Sequence, residues 1–188
     1  MTKLEQAISF AVTAHAGTKR KGKDRPYILH PLEVLTIVAS LTEDEDILCA
    51  AVLHDTVEDT GVTLDEIEAR FGARVRALVA AESEDKREGQ KAEDTWRVRK
   101  TETIHHLETA EQEVLLICLG DKLANLREIA RDYALLGDKL WQRFNQKDKK
   151  QHAWYYGEIA RVLANRMEPN LALTEYQQLI EQAFKKEA

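Results

Sequence analysis

The chain has 188 residues and a formal net charge of −6, with 44% hydrophobic and 32% charged residues. That length buries a core without staples, and the balance of apolar and charged residues excludes a disordered chain. The excess of acid over base argues against a duplex nucleic-acid binder, which needs a broad basic face, while leaving room for a small anion on a local basic patch.

Leu4, Ala7, Ile8, Ala11 and Val12 keep a helical period over residues 3–16. The segment GTKRKGKDRP (17–26) interrupts it with two glycines, a proline and five cations. A helix is predicted to resume near Pro31, a residue suited to the first helical position, and to run through Val34, Leu35 and Val38. Thr42 with Glu45 forms a capping-box pattern, predicting a helix from 43 to about 58. Thr63 with Glu66 repeats the pattern, and Phe71-Gly72 ends that helix. Further helices are expected over Ala73–Ala81 and Trp96–Leu107, flanking a polar connection at 82–94. Thr109 with Gln112 is expected to open a long helix carrying VLLICL (114–119). Leu140–Phe144, His152–Met167 and Leu173–Lys186 complete the chain, with Pro169 between the last two. No stretch alternates over six residues, so the predicted class is all-α.

Cys49 and Cys118 lie in apolar runs and read as small buried hydrophobes, not as a disulfide or a thiolate metal site. The N-terminus is too polar for a signal peptide, and no stretch approaches the roughly 18 apolar residues of a membrane span. The cytoplasm is the expected compartment, with no nucleic-acid or membrane partner.

Three features need a chemical explanation. In CAAVLHDTVEDTGV (49–62), an apolar run ends on His54, Asp55, Glu58 and Asp59, which on a continuous helix share an arc of roughly 140°. In LLICLGDKLANL (115–126), Asp121 follows six apolar residues with only Gly120 between, and Asn125 stands one turn later. In RPYILHP (25–31), His30 ends a proline-bounded apolar stretch. Unpaired buried carboxylates are costly, so the arc at 54–59 must meet water, cations or a metal. Imidazole and carboxylate without thiolate suit a divalent ion such as Mn²⁺, Fe²⁺ or Zn²⁺, and four such ligands leave positions open for water and substrate. The residues alone reach metal-dependent phosphoester hydrolysis.

His30, His54-Asp55 and Asp121 resemble the H…HD…D signature of HD-domain phosphohydrolases. RKGKDRPYILHP (20–31), LHDTVEDT (53–60), FGARVRALV (71–79) and DKLANLREI (121–129) resemble the hydrolase domain of the RelA/SpoT homologues, in particular the stand-alone small alarmone hydrolases. SEDK (83–86), WRVRKTETI (96–104) and LWQRFNQKDKKQHAWYY (140–156) extend the likeness, which covers most of residues 5–165. It implies one HD-domain helical bundle of roughly eight to ten helices over 1–188, with 168–188 as a helical extension. It also implies hydrolysis of ppGpp or pppGpp to GDP or GTP and pyrophosphate. A same-fold hydrolase of another nucleotide, such as a ppApp-type alarmone, is the alternative, and a non-catalytic regulatory or antitoxin module a third reading.

The resemblance assigns roles. His30, His54, Asp55 and Asp121 match metal ligands, with Mn²⁺ ahead of Fe²⁺, Zn²⁺, Mg²⁺ and Ni²⁺. Glu58 and Asp59 match the pair beside the metal, Glu58 to orient or deprotonate the water and Asp59 to orient water or ligand. Asn125 matches a residue near the sugar and scissile phosphate, and Arg20 and Lys21 a pair at the base. Lys122 and Arg143 are candidate phosphate contacts, and Lys149 shares with Arg143 the possibility of closing over distal phosphates. Tyr27 reads as structural, tucking the basic loop against the core. His15, His105, His106 and His152 fall on ordinary helix faces, outside the site. Leu171, Leu173, Leu179 and Ile180 suit either core closure or a homodimer contact.

Overall fold

The structure, a computed structural model, describes residues 1–84, 87 and 89–184. Asp85, Lys86 and Glu88 of the polar connection, and Lys186 at the expected end of the last helix, lie outside the described residues. Ten α-helices and one 3-10 helix account for the regular structure described, and the only extended pairing among those residues is an isolated bridge between Lys19 and Pro26. The all-α expectation holds. The chain divides into two compact units, residues 1–83 with 116–124, and residues 84–115 with 125–188.

The first unit contains α1 (Lys3–Ala14), α2 (Leu29–Ala39), α3 (Glu45–Leu53), α4 (Thr56–Asp59), α5 (Leu64–Phe71) and α6 (Ala73–Glu82), with the middle of α8 (Gln112–Leu136). At its centre is α3, which packs against α1, α2 and α6. Ile47 and every residue from Cys49 to Leu53 are buried, because a helix apolar on all sides has nowhere to lie but the middle. Its small residues Cys49, Ala50 and Ala51 let neighbouring helices approach.

Asp44, not Thr42, caps α3: its carboxylate accepts from the Asp46 and Ile47 amides and is held by Arg74 at 2.8 Å. The Thr42 hydroxyl instead accepts from the Asp44 amide at 3.1 Å. An aspartate with a guanidinium behind it is the stronger cap. The predicted box at Thr63 is half made, since Thr63 accepts from the Glu66 amide while the Glu66 carboxylate pairs with Arg70 at 3.0 Å.

The largest departure is that no continuous helix runs from 43 to 58. The helix stops at Leu53, whose carbonyl accepts from the buried Thr56 hydroxyl at 2.6 Å, and one further turn, α4, follows. A side-chain donor to a nearby carbonyl offers the backbone an alternative to the helical ladder. The shared 140° arc therefore does not exist. Smaller corrections follow the same lines. Pro31 is the third residue of α2 rather than the first, and His30 lies inside that helix. Thr109 ends α7 (Ala92–Thr109), its hydroxyl turned back to the His106 carbonyl, so it does not open α8.

The second unit holds α7, the later part of α8, a 3-10 helix (Gly137–Arg143) where an ordinary helix was expected, α9 (Lys149–Arg166) and α10 (Leu171–Phe184). An aromatic cluster fills it. The Trp141 ring stacks on His152 at 5.0 Å and on Phe184 at 5.7 Å, and Trp96 meets His152 edge-on at 5.5 Å. His152 is thus a buried core residue, not one on an ordinary helix face. Arg99 is buried and paired with Glu84 at 3.1 Å, and Arg97 stacks on Trp154. Leu173 is buried, whereas Leu171 at the start of α10 is exposed.

Candidate metal centre

Three chain segments of the first unit bring the four predicted ligands together. His30 comes from the first turn of α2, where its amide donates to the Tyr27 carbonyl at 2.9 Å. His54 and Asp55 occupy the junction between α3 and α4, so the helix break itself aims them. Asp121 comes from α8, and Gly120 before it permits the approach. A Cβ built there would sit 2.6 Å from a Val38 methyl and 3.3 Å from one of Val34, both on α2.

The geometry is tight. His30 Nε2 lies 3.0 Å from Asp121 Oδ1 and 3.6 Å from Asp55 Oδ2. His54 Nε2 lies 3.0 Å from Asp55 Oδ2 and 3.8 Å from Asp121 Oδ1. One ligating atom each from His30, His54 and Asp121 fall within 4.8 Å of one another, and all three residues are buried. The fit to a metal rests on His54. Its Nδ1 sits 2.8 Å from the Ala51 carbonyl, which can only accept, so Nδ1 carries the proton. That leaves Nε2, a buried atom facing Asp55 Oδ2 at 3.0 Å, as the nitrogen that can give its lone pair to a cation once the site's proton is displaced. An outer hydrogen bond of this kind fixes the tautomer and ring of a metal-binding histidine.

The electrostatics agree. Burial opposes charge on His54, yet without a metal the Asp55 carboxylate and then Asp121 prevail and push the imidazole up to about 10, so that a proton takes the place a cation would hold. Burial likewise opposes ionisation of Asp55 and Asp121, but the histidines hold Asp55, and Lys122 with His30 holds Asp121, well below the usual carboxylate range. Two ionised carboxylates around two imidazoles make a place for positive charge. The HD fold implies a divalent metal, and this His/Asp set suits one.

Glu58 is half-buried and Asp59 exposed on α4, the turn after the ligand pair. Lys122 is ion-paired with Asp121. Asn125 follows Asp121 by one turn of α8 and belongs to the second unit. In that unit Arg143 pairs with Asp132 at 2.7 Å, and Lys149 donates to the Tyr133 hydroxyl at 2.6 Å. Arg20 and Lys21 lie on a tongue in which residues 18–20 face 25–27: the Arg20 amide donates to the Arg25 carbonyl and the Tyr27 amide to the Thr18 carbonyl. Gly22 turns it with a φ of 73°, a conformation open to glycine. The Arg20 guanidinium sits 5.3 Å above the Tyr27 ring.

Three residues near the centre escaped the sequence reading. The Tyr27 hydroxyl donates to Asp55 Oδ2 at 2.6 Å, more than a loop tuck. His15 is 2% exposed, with its ring 4.9 Å from that of Tyr27, so it does not belong on an ordinary helix face. His105 and His106 do stay exposed. Glu82 ends α6, and burial pushes its carboxyl up to about 7, against Lys122 and with Asp121. A carboxylate closing the apolar run LVAA was the one available signal for it.

The profile of the HD domain family matches residues 7–149. A guanosine-3′,5′-bis(diphosphate) 3′-pyrophosphohydrolase of Aquifex aeolicus is 36% identical over 165 residues, 87% of this chain; the match spans about a fifth (21%) of that protein's length. The similarly named MESH1 proteins of Mus musculus and Homo sapiens are each 42% identical over 132 residues, covering 68% of this chain and 70% of theirs. Among solved structures, a metazoan ortholog of SpoT, described as hydrolysing ppGpp, superposes with a TM-score of 0.79 over 97% of this chain and 96% of its own. At 24% identity that likeness speaks for the fold. The structure of lmo0812 from Listeria monocytogenes EGD-e gives 0.73 at 31% identity, over 84% of this chain and 99% of its own. The family profile takes in most of the chain and the MESH1 matches more than two thirds of those proteins, so this chain belongs to the HD-domain family, in the company of MESH1.

Proposed function

We propose that the chain is a metal-dependent 3′-pyrophosphohydrolase that converts ppGpp or pppGpp to GDP or GTP and pyrophosphate. The observation that carries it is the cluster of His30, His54, Asp55 and Asp121, two imidazole nitrogens facing two carboxylates, in a chain 42% identical to proteins named for this reaction. These four residues hold the ion, with Mn²⁺ the first choice. When bound, a divalent ion lowers the pKa of water and screens phosphate charge.

The other roles fall to the chain's own side chains. Glu58 accepts a proton from the attacking water, and Asp59 orients water or ligand. The water oxygen bonds to the phosphorus carried on the 3′-oxygen, the bond to that oxygen breaks, and the oxygen leaves to take up a proton. Asn125 fixes the nucleotide near the sugar, Arg20 and Lys21 border the base, and Lys122 and Arg143 meet phosphate. The substrate is a small nucleotide rather than a nucleic acid. The whole chain acts as one HD domain with a C-terminal helical extension, in the cytoplasm, and α10 offers a surface for a homodimer. No helix among the described residues is long and apolar enough to cross a membrane.

The test is to strip the protein, reload it with Mn²⁺, and offer ppGpp and ppApp side by side, resolving products by ion-exchange chromatography. Pyrophosphate release from ppGpp is the expected result. Release from ppApp alone keeps the reaction and moves the base assignment. No turnover of either by the Mn²⁺-loaded protein would sink the alarmone reading.

A further inference from the structure

A chain of contacts leads from the end of α1 to two of the four ligands. The His15 carbonyl accepts from the Thr18 amide at 3.1 Å and from the Thr18 hydroxyl at 2.7 Å. The Thr18 carbonyl accepts from the Tyr27 amide at 3.0 Å, and the Tyr27 carbonyl from the His30 amide at 2.9 Å. Tyr27 thus fixes the backbone of one ligand. Its hydroxyl reaches another, donating to Asp55 Oδ2 at 2.6 Å, a length typical of a hydroxyl on a carboxylate. That oxygen is the one facing both imidazoles, 3.0 Å from His54 Nε2 and 3.6 Å from His30 Nε2.

Asp55 needs such a hold. It lies at the break between α3 and α4, where Asp55 caps no amide with its side chain. Nothing in the helix ladder fixes its χ angles, whereas His54 has the Ala51 carbonyl and Asp121 is anchored by Lys122. Behind Tyr27 stands His15. Neither of its ring nitrogens meets a hydrogen-bond partner, so it acts on Tyr27 through the packed ring face, 4.9 Å away and tilted by 32°. Arg20 covers the tyrosine from elsewhere on the tongue.

We infer that Tyr27, braced by His15, is a positioning residue that orients the Asp55 carboxylate toward the metal and joins its placement to that of His30. The inference rests on the proposed metal centre but not on the nucleotide. Outer partners of metal ligands typically contribute about 10–100-fold in affinity.

Tyr27→Phe removes the hydroxyl and keeps the ring on His15 and under Arg20. The measurement is the Mn²⁺ dissociation constant of the nucleotide-free full chain, read from the electron paramagnetic resonance of free Mn²⁺, beside the melting temperature of the metal-free protein. The expected result is about 10–100-fold weaker binding with an unchanged metal-free melting temperature. Wild-type affinity in the variant, or a loss that merely follows a lowered metal-free melting temperature, overturns the inference. His15→Leu is expected to weaken binding less, and to add nothing when combined with Tyr27→Phe, because both act through one hydroxyl. Additive losses overturn the part given to His15. A wild-type chain that binds no Mn²⁺ refutes the metal centre itself. A chain that binds Mn²⁺ but leaves ppGpp intact touches only the substrate reading.

Discussion

Glu58 and Asp59 stand one turn beyond the ligand pair, on a helix too short to be rigid without what flanks it. If Glu58 takes the proton from water, Glu58→Gln lowers kcat by about 10²–10⁴-fold, the usual worth of a general base. Mn²⁺ affinity then stays within a few-fold of wild type, and a parallel loss of affinity would make Glu58 a ligand instead. His152 carries a different prediction. Burial among Trp96, Trp141 and Phe144 pushes its imidazole below the ordinary value near 6.5, against the hydrogen bond to the Gln146 carbonyl. The unfolded chain therefore takes up the proton first, and stability present above pH 6.5 is lost as the pH falls toward the folded value. Melting curves from pH 7.5 to 5 are expected to fall more steeply for wild type than for His152→Phe. Equal slopes would remove His152 as an acid-sensitive group.

At the scale of elements, the site depends on where helices stop and how near they come. Thr56 is fully buried and its hydroxyl occupies the Leu53 carbonyl, which ends α3 and turns Asp55 inward. Thr56→Val leaves that carbonyl without its donor. The expected cost is about 1–3 kcal/mol in chemical denaturation, with weaker Mn²⁺ binding, because a straighter helix carries Asp55 away from His30. Gly120 sets the approach of α8 to α2. An alanine gains about 1 kcal/mol in helix propensity but meets Val38 in a fully buried position, where overpacking costs about 1–3 kcal/mol. Gly120→Ala should come out destabilised and bind Mn²⁺ less tightly, since Asp121 moves with its neighbour. A more stable variant with intact binding would show that the valines yield freely.

For the molecule as a whole, an ion held by the four proposed ligands would tie together α2, the α3–α4 junction and α8, across the 91 positions from His30 to Asp121. A ligand that binds only the folded state stabilises it by about 2.7 kcal/mol at a hundred times its dissociation constant. For a chain of this size that is about 5–10 °C of melting temperature. Chelation is expected to lower the transition by that order, and Mn²⁺ to restore it. A transition indifferent to chelator would mean that the four ligands hold no ion.

The cluster that brings His54-Asp55 and Asp121 together was legible in the amino-acid order because ionisable residues that interrupt apolar runs have few explanations: His54-Asp55 after CAAVL, Asp121 after VLLICLG. The helical class was legible for a related reason, since the 3.6-residue period and the scarcity of glycine and proline are local properties. What stood beyond reach was decided by contacts between distant segments. Asp44 displaced Thr42 as a cap because Arg74, thirty residues on, holds it. The helix at 43–58 broke because a buried threonine found a carbonyl. His15 and Tyr27 looked ordinary because neither interrupts a pattern. Only the tongue that brings Tyr27 back over the end of α1 sets one beside the other and the hydroxyl on Asp55. Sequence determined which side chains carry charge into the core; the fold decided which of their neighbours hold them still.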